Sequence, residues 1–321
     1  MTISICIPAY KNLDILPDAL QSICSQQSDF ELVILDDFDI FLNDPSNNKQ
    51  VRHVRELYEN DHRVKWFRNS RHLPIQDNWN KVIGLSTRPY IKMMGADDRL
   101  QPGSIEKMEA MIKALPEIDF HAHLANIIDS DGTVIRTQKA YSSLKEPLIV
   151  SGNMALKGKL RQIIRFKNPV CNFFKRTAWE NVGGYADKYR FCFDVHFNTK
   201  LMAEGKCALW NENLVELRRH DNSDGATLPA KLALEELRKL VLDILTEIGD
   251  EVTADDLVAA NGWVLYRFFE LASQRIITKP SDLLRLFIEH YPVLLNKPAV
   301  YMQAAKLTMS RLRDGDIQQI S

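Results

Sequence analysis

Two pairs of adjacent carboxylates stand out in the first hundred residues, Asp36-Asp37 and Asp97-Asp98. Each closes a short apolar run, Phe30 to Leu35 in one case and Tyr90 to Met94 in the other. Hard divalent cations prefer carboxylate oxygens, and Mg²⁺ commonly takes one or two of them together with phosphate oxygens. A carboxylate pair at a strand end can therefore hold a metal whose shell a diphosphate completes. The same Gly95-Ala96-Asp97-Asp98 stretch also reads as a plain turn, with an Asp capping a helix that begins near Pro102. A second Asp pair at a neighbouring strand end favours the metal reading. His121 and His123 alternate along one strand face without a visible third ligand, so a structural role is expected for them.

The elements that must position these groups alternate strand and helix. Apolar strands are expected at 3–8, 30–35, 64–67 and 90–94, with helices over 13–26 (Asn12 as its cap), 51–59 and 74–85. Continuously apolar strands separated by helices indicate a parallel sheet covered on both faces, and such sheets bind ligands beyond their carboxyl ends. All four carboxylates fall on that edge. The middle of the chain has α+β character. Strands are expected at 118–128 and 133–136 around an Asp131-Gly132 turn, a loop over 139–151, and a strand at 172–175 followed by a helix from Thr177. A further helix over 195–203 and strands at 207–210 and 214–218 complete it. Beyond Asp224-Gly225 the composition shifts to helix formers, with helices expected at 230–248, 254–274, 281–291 and 299–313. The expected division is residues 1–225 as the catalytic domain and 226–321 as a helical region.

Composition narrows the chemistry. Of 321 residues, 45% are hydrophobic and 26% charged, ordinary globular values that argue against disorder. Forty-one basic side chains balance 42 acidic ones, so nucleic acid is not an expected partner. Five scattered cysteines form no CxxC pair and suggest neither a disulfide framework nor a thiolate metal site. No apolar run approaches the roughly 20 residues of a membrane span, and the N-terminus reads as a strand, so a cytoplasmic protein is expected. Dinucleotide, P-loop and GxSxG signatures are all missing.

Three segments in order, ISICIPAYKN, FELVILDDFD and YIKMMGADDRLQPGSI, resemble the first half of the family 2 inverting glycosyltransferases of GT-A fold. The resemblance covers residues 2–110 well and 111–225 loosely. It implies an α/β, Rossmann-like mixed sheet of the nucleotide-diphospho-sugar transferase type, followed here by a helical appendage. It also implies residue roles. Pro8, Ala9 and Tyr10 match the segment lining the nucleobase pocket, with Tyr10 able to stack. Asp37 matches the acidic residue that accepts a hydrogen bond from the base. Asp97 matches the ribose contact and Asp98 the metal ligand, the metal being Mn²⁺ or Mg²⁺. Phe38-Asp39-Ile40-Phe41 replaces the family's small turn, which reshapes the base pocket.

The resemblance further points to Asp194 as the general base on the acceptor hydroxyl, with Asp187 as its competitor and a helix N-cap as the plain alternative. His220 matches a residue that reaches metal or diphosphate, and Arg218 or Arg219 a diphosphate clamp. A solvated basic turn explains that stretch equally well. Asn78 and Lys81 are weaker candidates for donor contact. The implied donor is a nucleoside-diphosphate sugar, UDP-linked first and dTDP- or GDP-linked as alternatives. The implied product is a hexosyl or deoxyhexosyl glycoside. The implied acceptor is a glycan or lipid-linked hydroxyl in surface polysaccharide assembly. For the helical region, acceptor binding, a homodimer contact and the inner face of a membrane are the open roles. A sugar-nucleotidyltransferase and an inactive nucleotide-sugar-binding module are the alternative functions.

Overall fold

The computed structural model describes residues 2–10, 15–37, 53, 55–138, 146–162, 164, 169–219, 229–273 and 298–313. The expected cap Asn12, the 281–291 helix and His220 lie outside them.

A twisted mixed sheet forms the centre. β1 (Ile3–Ala9), β2 (Glu31–Asp36), β3 (Val64–Arg68) and β4 (Tyr90–Met93) are mutually parallel in the order β3-β2-β1-β4. β9 (Asn172–Lys175) then runs antiparallel between β4 and β6 (Phe120–Ile128). β10 (Lys206–Arg218) follows parallel to β6, with the two-residue β5 (Arg99–Leu100) antiparallel at the far edge. β7 (Val134–Thr137) pairs with β6, and β8 (Leu148–Ser151) with the first half of β10. β10 joins the two strands expected at 207–210 and 214–218 into one. Register shifts between Leu209 and Val215 absorb the polar Asn211-Glu212-Asn213 insert that separates them in sequence.

Alternation along the inner strands feeds two cores. Ile3, Ile5 and Ile7 of β1 face one side with Leu32 and Ile34 of β2. That side is covered by α1 (Leu16–Cys24) and α3 (Ser104–Ala114) through Leu16, Leu20, Ile23, Ile105, Met108 and Met111. Cys6, Val33, Leu35, Ile91 and Met93 face the other side. There α2 (Ile75–Leu85), α4 (Gly152–Leu160) and α6 (Phe193–Glu204) pack, while α5 (Arg176–Asn181) follows β9 directly. β8 falls at the end of the 139–151 stretch expected as a loop, and α4 follows it where no element was expected.

The helical region does not stand apart. α7 (Ala230–Ile248) sends Leu234, Leu237, Leu240, Val241, Ile244 and Ile248 into the second core, and α8 (Ala254–Ser273) adds Trp263, Leu265 and Phe268. Burial of each such side chain contributes roughly 1.5–3 kcal/mol. α9 (Pro298–Arg313) packs on α8 through Val300 and Ala304. The composition change near 226 therefore does not mark the edge of a core. Among the described residues no helix is long and apolar enough to cross a membrane. None of the five cysteines forms a disulfide.

Candidate functional site

β1, β2 and β4 end at one edge of the sheet, which gathers Tyr10, Asp36-Asp37 and Asp97-Asp98. The start of β9 reaches the same edge, because β9 runs antiparallel to β4 with Tyr90 opposite Lys175. Asn172 there donates to Asn198 of α6 at 3.4 Å. α6 leads directly into β10, which starts at the opposite edge beside Phe120. The N-terminal turn of α6, with Asp194, therefore belongs to the edge that carries the acid pairs.

Asp97 and Asp98 fold over Gly95. A Cβ at Gly95 would lie 2.5 Å from Asp98 Oδ2 and 2.6 Å from Asp97 Oδ1. The two oxygens thus converge on one point, and only glycine leaves that space open. Asp98 is buried, and loss of solvent together with the charge of Asp97 pushes its carboxyl far above the usual carboxylate range. The amide of Arg218, donating to Asp98 Oδ1 at 3.0 Å, offsets this in part. Among the described residues no group of three or more His, Cys, Asp or Glu side chains is assembled for a metal. Two convergent carboxylates with excess negative charge nonetheless suit Mg²⁺ or Mn²⁺, whose remaining ligands come from phosphate and water.

Arg218 is committed to the protein. Its Nε donates to Asp97 O at 3.0 Å, its Nη1 to Ser130 O at 2.6 Å and to Asp129 O at 3.3 Å. Its Nη2 meets Asp18 Oδ2 at 2.9 Å, and the side chain is 1% exposed. The geometry makes this residue the anchor of the Asp97-Asp98 turn; the sequence alone offers it, or Arg219, as a diphosphate clamp. Arg219 is exposed, with its amide donating to Ile128 O.

Asp37 is equally well held. Its Oδ1 accepts from Asn69 Nδ2 at 2.9 Å and from the Leu73 amide at 3.0 Å, and its Oδ2 lies 2.7 Å from His72 Nδ1. Asn69 also donates to Asn78 Oδ1 at 2.8 Å, so Asn78 acts through this network. Tyr10 is 40% exposed and stacks on His72, with ring centroids 4.8 Å apart. Ala9 is buried and its carbonyl accepts from the Asp37 amide at 3.0 Å, which ties the first and second strand ends together. Pro8 sits beside it, half-buried. Lys81 is exposed on α2.

α6 begins at Phe193, two residues before the expected start, so Asp194 lies inside its first turn. The N-cap is Cys192, which makes no side-chain cap, and Asp194 Oδ1 instead accepts from the Val195 amide at 2.8 Å. Burial raises the Asp194 carboxyl to about 6, against hydrogen bonding and the positive charge of Lys159. Asp187 is exposed in a turn.

One residue near this edge, Lys92, carries no sequence signal. Lys92, wholly buried on β4, donates to His123 Nε2 at 2.9 Å and to the carbonyls of Val170 and Asn172, and burial lowers its pKa to about 7. His123 thus serves as an internal acceptor, and His121 stacks on Phe173 at 4.6 Å, the structural parts expected of both.

A parallel half-sheet ending in an acid pair, extended by an antiparallel strand and covered on both faces, defines a GT-A fold. Solved structures share it. TarS from S. aureus in complex with UDP-GlcNAc superposes with a TM-score of 0.67 at 15% identity, over 98% of this chain and 85% of that one. The mannosyltransferase PcManGT from Pyrobaculum calidifontis, in complex with GDP-Man and Mn²⁺, gives 0.55 at 15% identity, over 97% and 86%. Residues 4–183 match the glycosyl transferase family 2 description, and the chain belongs to that family. Among curated relatives, an uncharacterised glycosyltransferase of Methanocaldococcus jannaschii is 24% identical over 55% of this chain. One of Haemophilus influenzae is 24% identical over 68%. The chain spans 61% and 66% of their lengths.

Proposed function

We propose that this chain is a metal-dependent inverting glycosyltransferase that moves a sugar from a nucleoside diphosphate to an acceptor hydroxyl. The observation that carries the reading is the convergence of the Asp97 and Asp98 carboxylates over Gly95, on the edge that also holds Asp37, Tyr10 and Asp194. In this reading Tyr10 stacks on the base and Asp37 accepts a base N–H, oriented by Asn69 and the Leu73 amide. Asp97 meets the ribose. Mn²⁺ or Mg²⁺ at Asp98, with His220 as a further ligand, would offset negative charge on the departing diphosphate. Arg218 holds the acid turn in register.

Asp194 takes the proton from the acceptor hydroxyl. Its raised pKa, about 6, brings it nearer the operating pH than an ordinary carboxylate while leaving it ionised at neutrality. Attack from the face opposite the diphosphate inverts the anomeric centre. A UDP-sugar is the first donor to test, since TarS was seen with UDP and UDP-GlcNAc, and a GDP-sugar the second. The acceptor class is a glycan or lipid-linked hydroxyl of a surface polysaccharide.

A thermal-shift panel of UDP, GDP and dTDP and their sugars, with and without Mn²⁺ or Mg²⁺, tests the donor site. Stabilisation by at least one nucleoside diphosphate with metal is expected. If none stabilises the protein, the donor reading falls.

A further inference from the structure

The helical region reaches into the active edge at one place. Glu236, buried on α7, accepts three consecutive backbone N–H groups: Arg190 on Oε1 at 2.7 Å, and Phe191 and Cys192 on Oε2 at 2.6 and 2.9 Å. Two turns further along the same helix face, Asp243 accepts from Tyr189 Oη at 2.5 Å and from Lys188 Nζ at 2.6 Å. From the other side, Gln76 of α2 donates to the Tyr189 carbonyl. Residues 188–192 are thus gripped by α7, and they lead straight into the helix turn that carries Asp194.

This grip replaces something α6 lacks. The first N–H groups of a helix have no partner within it, and the N-cap side chain usually supplies one. Cys192, the N-cap here, supplies none. In a capping box the N-cap amide is satisfied by a Glu three residues on in the same helix. Here the acceptor of the Cys192 amide comes from 44 residues away. A carboxylate accepting three amides is a strong, charge-assisted arrangement, and it fixes the backbone two residues before Asp194.

We propose that Glu236 is a positioning residue for transfer, and that the helical region contributes to catalysis by fixing the backbone that aims Asp194. The inference rests on Asp194 as the general base. A misplacement of about 1 Å can cost on the order of 100-fold in rate, so the hold on this backbone matters for turnover and not for donor binding.

The test is a double-mutant cycle on the full chain with Glu236→Gln and Asp194→Asn. Sugar transfer or nucleoside-diphosphate release is read as kcat and KM, and donor binding by calorimetry. Glu236→Gln turns an amide N–H₂ towards backbone donors. It is expected to lower kcat roughly 10- to 100-fold with donor Kd unchanged within about 2-fold. In the Asp194→Asn background it should add less than about 2-fold, because both act through one group. Hydrogen exchange at the 190–192 amides should accelerate in Glu236→Gln. Losses that multiply in the double variant, or a wild-type kcat in Glu236→Gln, overturn the proposal while leaving Asp194 in place. Undiminished turnover in Asp194→Asn alone removes the base reading, and this proposal with it. Should Glu236→Gln not fold, Glu236→Asp replaces it, keeping the charge but withdrawing it from the amides. The same non-additive kcat loss is then expected.

Discussion

Replacing Asp194 by Asn should stabilise the protein and slow transfer at the same time. The side chain is largely removed from solvent, and its carboxyl titrates at about 6 instead of the usual 3.8. Folding therefore raises its proton affinity, and the ionised form is carried at a cost. The interval corresponds to roughly 3 kcal/mol at full ionisation, or about 1–3 kcal/mol once partial solvent access is allowed for. The sign follows from linkage. Below the unfolded pKa the group is protonated in both states and costs nothing. Between about pH 4 and 6 the unfolded chain ionises first, and the penalty grows to its full value above the folded pKa. Asn keeps the shape and can still accept from the Val195 amide. Urea unfolding of wild type and Asp194→Asn should separate by about 1–3 kcal/mol at pH 7.5, and the gap should shrink to roughly a third of that at pH 4.5, with coincidence only below the unfolded pKa. Turnover should fall by about 10²–10⁴-fold, the usual worth of a general base. A stability gap independent of pH would refute the electrostatic reasoning, and an unchanged kcat would refute the role.

The same titration should set the acid limb of activity: kcat/KM is expected to fall with unit slope below about pH 6, where Asp194 becomes protonated. A limb near pH 4 would contradict it. Gly95→Ala should weaken metal-dependent donor binding by roughly 10-fold or more, about 1.4 kcal/mol. The new Cβ falls 2.5–2.6 Å from both carboxylates, and calorimetry with and without Mn²⁺ reads the effect. Arg218→Ala removes an almost wholly buried guanidinium and leaves Asp97 O, Ser130 O and Asp129 O short of a donor. Denaturant unfolding should show a loss of about 2–4 kcal/mol from the buried carbonyls left without a donor, against under 1 kcal/mol for a surface side chain.

What could be read from the chain beforehand was what depends on local pattern. The apolar runs Ile3 to Ile7 and Leu32 to Leu35, rich in Ile and Val, specify inner strands because both of their faces are buried. The acid pairs follow the runs that end at Leu35 and Met94, so their edge came with the strands. α4 was missed because Gly152 and Gly158 dilute its helical signal. Tertiary burial of Ala155, Leu156 and Leu160 holds it instead. β8 is an edge strand of four residues with only Val150 buried. Arg218 shows the same limit in chemistry. Beside Arg219 and His220 it reads as a basic turn, and only the fold brings it to Asp18, 200 residues earlier. Glu236 is the extreme case. A Glu between leucines in an amphipathic helix reads as solvent-facing, and nothing in the neighbouring sequence announces the three amides it meets.

The central claim is a nucleoside-diphosphate-sugar site built on the acid pair. Calorimetric titration of UDP-sugar and GDP-sugar into wild type and Asp98→Asn, each with Mn²⁺ and with chelator, tests it most directly. The account predicts binding to wild type that strengthens at least about 10-fold with Mn²⁺, and loss of that gain in Asp98→Asn. Equal affinity in all four conditions, or no binding to wild type with metal present, would contradict it.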